Sequence, residues 1–263
     1  MKRILWMLLG LGLSAVPLAR ADQWAKTFTI SSQPQLRVET SDANIRVDTW
    51  DKNTIDVQVT TQRWKIGEDG IKIYDHQTGG AVELEVRFPH RDFNFDFGGR
   101  RVDIDSHMPR EGKVNLRTGD GSIRLGNFKG EMQTESSDGH QEIDGADGSL
   151  RAHAGDGSIR ANGRFDALDL STGDGHIDAR ALAGSKMAKS WNVHTGDGSV
   201  TLEIPQDIAA DVDLHTGDGH ITLDLPIAVE GKLAENNVRG KLNGGGNLLT
   251  IRTGDGSIHL EKS

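Results

Sequence analysis

Aspartate flanked by glycine recurs from residue 120 onward. Asp120, Asp156, Asp174, Asp197, Asp218 and Asp255 each sit in Gly-Asp-Gly, and Asp138 in a worn copy, Ser136-Ser-Asp-Gly-His-Gln141. Asp120, Asp138, Asp156 and Asp174 are 18 residues apart, and the later intervals are 23, 21 and 37. Stacked at strand spacing, such carboxylates lie about 4.8 Å apart and repel by roughly 1 kcal/mol per pair even in bulk water. A calcium ion threaded along the column would relieve that. Yet one carboxylate per repeat falls short of the roughly six to eight oxygens calcium takes, and the nine-residue spacing of calcium-binding solenoids is absent. The neighbouring Arg117, Arg124, Arg160 and Arg252 offer partial relief instead. Turn chemistry accounts for the motif without a ligand: glycine supplies positive φ, and aspartate bonds its own turn amides.

Histidines flank the same motif. His140, His176 and His220 follow it, His153, His194 and His215 precede it, and strand alternation points all six outward. His194 and His215 hold equivalent places in successive repeats, so they are the candidate transition-metal ligands, with Asp197 and Asp218 as helpers. Their spacing matches no metal signature, so no metal or cofactor is assigned.

Catalysis requires one repeat to break the rhythm and set an acid against a base. Here the carboxylates recur once per repeat, which marks scaffolding. Ser122, Ser158, Ser199 and Ser257 exchange with His, there is no Cys, and no nucleophile-elbow or phosphate-loop motif occurs. Beyond the first residues only Trp24, Trp50, Trp64 and Trp191 could stack on a sugar. No catalytic residues are expected, and the chain is read as a non-enzyme.

The elements that carry the motif are strands. Val114, Leu116 and Thr118 before the turn, with Ile123 and Leu125 after it, share one face; Asn115, Arg117 and Arg124 take the other. The sets Leu168, Leu170, Ile177, Ala179; Trp191, Val193, Val200, Leu202; Val212, Leu214, Ile221, Leu223; and Leu249, Ile251, Ile258, Leu260 repeat that pattern. Period-two alternation predicts half-buried strands, and nothing predicts a helix. Residues 33–59 alternate likewise, with Asp42 where the repeat aspartate would stand.

Residues 22–111 are expected to cap the array and 112–263 to form it. The long intervals place loop insertions near 182–190 and 230–247, where function tends to sit. The repeats either stack as coils of a solenoid, Leu116 upon its counterpart, or fold back as hairpins that pair Leu116 with Ile123. In-register repetition of side-chain type favours stacking. The expected class is all-β, a parallel β-solenoid of single-stranded β-helix type with an irregular N-terminal cap.

Residues 1–21 read as a secretory signal peptide: Lys2 and Arg3, the apolar run from Ile4 to Leu13, then Ala19-Arg-Ala21. Its removal leaves 27 basic against 39 acidic residues, a net charge of −12, unsuited to nucleic acid. No second apolar run reaches membrane-spanning length, so no transmembrane segment is expected after cleavage. Without cysteines, stability must come from packing and backbone pairing.

The run Val114-Asn-Leu-Arg-Thr-Gly-Asp-Gly-Ser-Ile-Arg-Leu-Gly126, its recurrences, and Ile45-Arg-Val-Asp-Thr-Trp-Asp51 resemble a bacterial cell-envelope family of β-strand repeats labelled putative adhesin, of unknown function. The resemblance covers about residues 33–261. It implies a right-handed parallel β-solenoid in the periplasm or at the cell surface, with some relatives tied to envelope-stress signalling, and carries over no site residues. The expected role is adhesion or envelope interaction with an unidentified envelope protein or polysaccharide. The alternative is a metal-dependent periplasmic binding or stress-sensing module.

Overall fold

Parallel pairing at the repeat spacing is what the backbone hydrogen bonds display. The computed structural model describes residues 21–89, 101–229 and 235–263. Residues 1–20 of the expected signal peptide, the 90–100 stretch with Phe93, Phe95, Phe97 and Gly98-Gly99, and part of the larger insertion lie outside the described residues. All described elements are strands, joined in one hydrogen-bonded sheet.

Strands that precede the Gly-Asp-Gly motif form one ladder. Glu111–Arg117 pairs with Lys129–Ser136, which pairs with the second half of Gln141–Ala154, then of Ile159–Thr172, then with Trp191–Thr195, every step parallel. Leu116 stands beside Thr134, Thr134 beside Ala152, Ala152 beside Leu170 and Leu170 beside Val193. Strands that follow the motif form a second ladder: Ile123–Gly126, the first halves of Gln141–Ala154 and Ile159–Thr172, Ile177–Ala181 and Val200–Ile204. Leu116 and Ile123 therefore belong to different ladders, and the hairpin alternative is not what forms.

The inward residues of both ladders meet in one core. Leu116, Ile123, Leu168, Leu170, Ile177, Trp191, Val193, Val200, Leu202, Ile251, Ile258 and Leu260 are all buried. Ile221 and Leu223 are only half-buried; among the described residues their strand ladders with Ile258–Lys262 alone. Phe165 and Trp191 meet edge to face at 6.4 Å inside this core.

Stack order departs from chain order at both ends. The last repeat, Asn247–Thr253 with Ile258–Lys262, does not lie outermost. It pairs with Trp191–Thr195 and Val200–Ile204 on one side and with Ala210–Thr216 and Ile221–Leu223 on the other. The first repeat, Gln35–Thr40 with Asn44–Trp50, lies between the Glu111–Arg117/Ile123–Gly126 level and the Ala81–Arg87/Arg101–Pro109 level. Both chain-terminal repeats are thus interior.

Antiparallel strands cover the ends. Asn237–Leu242, within the larger insertion, pairs antiparallel with Ala210–Thr216 and supplies the edge cover that an open sheet requires. At the other end Arg101–Pro109 pairs with Thr54–Gln62, and that with Ala21–Thr29, while Lys72–Thr78 covers Ala81–Arg87. The two edge strands there meet: Gln77 Nε2 donates to Thr29 O at 2.8 Å, and Lys26 pairs with Asp75. The smaller insertion also turns inward. Met187 is buried, the Phe165 N–H donates to Ser185 Oγ, and Asn247 Nδ2 donates to the Met187 carbonyl at 2.9 Å.

Candidate functional site: the Gly-Asp-Gly corner

Most corners of the stack are built from Thr-Gly-Asp-Gly-Ser/His, and each residue type in that motif has a stacking reason. The glycines do not supply positive φ, contrary to the expectation. Among the described residues the glycines with positive φ are Gly67, Gly79, Gly130, Gly145, Gly148, Gly184, Gly244 and Gly245, none of them in the motif. What excludes a side chain is the level beneath. A Cβ on the first glycine would lie 2.6 Å from the carbonyl oxygen below at Gly196, Gly217 and Gly254, and 2.8 Å at Gly173. At the second glycine the approach is closer still: a Cβ on Gly139, Gly157, Gly175, Gly198, Gly219 or Gly256 would collide with the neighbouring glycine's carbonyl. The worn copy departs from this at the looser first position, where it carries Ser137, and keeps Gly139 at the tighter second one.

The motif aspartates do not cap their own turns either. Their amides bond downwards: Asp197 N–H to Gly173 O at 3.1 Å, Asp255 N–H to Gly196 O at 3.2 Å and Asp218 N–H to Gly254 O at 3.0 Å. Their carboxylates are exposed, side by side along the corner. Asp42 sits in register with Asp120, since the Gly119 and Asp120 amides both donate to Ser41 O. Partial burial, and then the Asp120 charge, raise the Asp42 carboxyl above its ordinary value. The expected arginine relief goes elsewhere. Arg117 pairs with Glu135 at 2.9 Å, Arg124 with Glu142 at 3.1 Å, Arg160 with Asp178 at 3.5 Å and Arg252 with Asp213 at 2.8 Å. These bridges link neighbouring levels on the exposed faces, where each contributes about 0–1 kcal/mol.

Threonine opens the motif because its buried hydroxyl staples two levels together. Thr195 Oγ1 donates to Gly175 O of the level below at 2.9 Å and accepts from the Gly198 N–H of its own turn at 3.2 Å. Thr172, Thr216 and Thr253 do the same with Gly157 and Gly175, Gly256 and Gly219, and Gly198 and Gly256. Serine and histidine alternate after the motif because either presents an acceptor to the next level's backbone. His176 Nδ1 accepts from the Ser199 N–H at 3.0 Å, Ser199 Oγ from the Ser257 N–H at 3.4 Å and Ser257 Oγ from the His220 N–H at 3.4 Å. Asn44 Oδ1 fills that place beneath Ser122. Sequence reasoning passed over both ladders, although the threonine in all but two copies from residue 118 onward was a visible signal.

One level replaces aliphatic core with polar groups. Gln141 is 1 % exposed. Its Oε1 accepts from Thr134 Oγ1 at 2.6 Å, and its Nε2 donates to Ser136 Oγ at 2.8 Å and to His153 O at 2.5 Å. The network is internally paired.

The four candidate metal ligands are not brought together. His194 stands beside Arg252, and Arg252 beside His215, so a guanidinium separates the two rings. Asp255 likewise stands between Asp197 and Asp218. The equivalence seen in the sequence is real, but the repeats that carry it are not neighbours. Among the described residues no three His, Asp or Glu side chains gather to hold a metal ion, and no helix is long and apolar enough to cross a membrane.

The outer face of the first ladder carries a shallow groove of about 530 Å³ that crosses several levels, past Arg37, Lys113, Gln133, Arg151, Asp169 and Asn192. The family model Toastrack DUF4097 matches residues 31–261. No curated protein matches the chain. Among solved structures, a putative cell adhesion protein from Clostridium sporogenes is 13 % identical, with 93 % of this chain and 100 % of that one covered, at a TM-score of 0.45. A putative adhesin from Bacteroides fragilis is 10 % identical, with 92 % and 97 % covered and the same TM-score of 0.45. A putative lipid binding protein from Parabacteroides distasonis is 10 % identical, with 92 % and 95 % covered, at a TM-score of 0.34.

Proposed function

The chain belongs to the Toastrack DUF4097 family, and on that premise we propose that it is an exported, non-catalytic scaffold of the parallel β-solenoid, single-stranded β-helix type that serves adhesion or another cell-envelope interaction. The observation that carries the reading is the groove on the first ladder's outer face. Each level contributes several residues to it, and Arg37, Asn115, Gln133, Arg151, Asp169 and Asn192 line up in register across successive levels. A surface built this way suits an extended partner that meets the same spacing again and again, which is how repeat proteins use their long faces. Export rests on Lys2, Arg3, the apolar run and Ala19-Arg-Ala21, and the place of action is the periplasm or the cell surface.

Retention of envelope components on the immobilised mature chain tests this, with an Arg37→Glu/Lys113→Glu/Arg151→Glu chain as control. An envelope protein or polysaccharide held by the first and released by the second supports the proposal. Equal retention by both, or none by either, contradicts it.

A further inference from the structure

The Asp-Gly dipeptide is the sequence most prone to spontaneous isomerisation, because glycine leaves the following backbone nitrogen sterically open. That nitrogen attacks the aspartate Cγ, the N–H proton is lost, the carboxyl C–O bond breaks and water departs, giving a five-membered cyclic imide. Water then adds back. Addition at the Cγ carbonyl restores aspartate, and addition at the main-chain carbonyl leaves an isoaspartate with one extra methylene in the backbone. Nothing is oxidised or reduced, and the water expelled is replaced. The step requires the Asp-Gly peptide plane to swing its nitrogen towards the side chain, and a hydrogen bond on that N–H resists the swing.

This chain holds that N–H in some copies and not in others. The amides of Gly175, Gly198, Gly219 and Gly256 donate to the threonine hydroxyls of their own turns at 3.3, 3.2, 3.0 and 3.2 Å. The Gly157 amide has no such acceptor. Where the other copies carry Thr118, Ser136, Thr172, Thr195, Thr216 or Thr253, its turn carries Ala154, fully buried and without a hydroxyl. At Gly121 and Gly139 the amide is also unbonded among the described residues, but a hydroxyl stands at the same place. The Asp156 residue is exposed.

We infer that Asp156 is a site of succinimide formation and isoaspartate conversion, favoured over Asp174, Asp197, Asp218 and Asp255, whose following amides are held. The consequence is local. Gly157 lies against the Gly139 carbonyl with no room for displacement, so a lengthened backbone at Asp156 disrupts the contact between the Asp138 and Asp156 levels, near the middle of the stack.

Ageing the folded mature chain at neutral pH, followed by peptide mapping with isoaspartate-specific methylation, reads each copy separately. Isoaspartate at Asp156 is expected to exceed that at Asp174, Asp197, Asp218 and Asp255 severalfold, and the same copies in urea-unfolded chain to convert at similar rates. Ala154→Thr should suppress conversion at Asp156, and Thr195→Ala should raise it at Asp197 while Thr195→Ser does not. Equal conversion at Asp156 and the held copies in the folded chain, or an unchanged Asp156 rate in Ala154→Thr, overturns the inference.

Discussion

Asp42 and Gln141 are single residues whose surroundings make opposite demands. Asp42 carries a raised carboxyl, first through burial and then through Asp120. A raised acid stabilises the fold fully below its ordinary value of 3.8 and loses that contribution as pH rises through the folded value. Asp42→Asn should therefore melt higher than the parent at neutral pH, with the difference closing as pH falls below 3.8; thermal unfolding across that range checks it. Gln141 occupies a position where other copies carry Ile or Val, so Gln141→Ile looks like a repair. It would instead strip partners from Thr134 Oγ1, Ser136 Oγ and the His153 carbonyl. Buried groups left unpaired cost about 1–3 kcal/mol, so the urea midpoint should fall, and a rise would refute the network's importance. The interchange of Ser and His was plain in the sequence while its cause was not. The acceptor serves an amide 18 or more residues away, and composition does not say which residue lies beneath which.

At the scale of the element, the corner explains what the turn grammar missed. Gly-Asp-Gly read as a tight turn, and the glycines were credited with positive φ, yet their task is to let carbonyls of adjacent levels approach. Close approach between segments distant in sequence leaves the same glycine signature as a strained turn, so the two are told apart only by what packs against them. The distinction is measurable. Gly198→Ala should destabilise the fold more than Gly196→Ala, because the Cβ meets the Gly175 carbonyl at closer range than the 2.6 Å found above Gly173; paired urea titrations give the order, and equal losses would argue against stacking as the constraint. The strands themselves were legible, because inward Leu, Ile and Val alternate with charged residues wherever a ladder has neighbours on both sides. The insertions were not. Their lengths were visible, but the larger one provides a covering strand, Asn237–Leu242, and the smaller one seats Met187 in the core.

The whole molecule is a stack whose first and last repeats are enclosed by segments from the middle of the chain. Repetition made the stack predictable and hid its order. Any repeat edge fits any other, so the 37-residue interval between Asp218 and Asp255 gives no sign that the chain has doubled back. That reversal is why His194 and His215 occupy matching places without touching.

The native sequence has no cysteines, so paired substitutions test the order without interference. Adjacent positions on neighbouring strands lie about 4.8 Å apart and can be bridged, whereas positions two strands apart, at about twice that, exceed the roughly 7 Å limit for a disulfide. Under mild oxidation His194→Cys/Arg252→Cys is predicted to form an internal disulfide, with His194→Cys/His215→Cys remaining as free thiols. A bridge in the second pair and none in the first would contradict the interleaved stack.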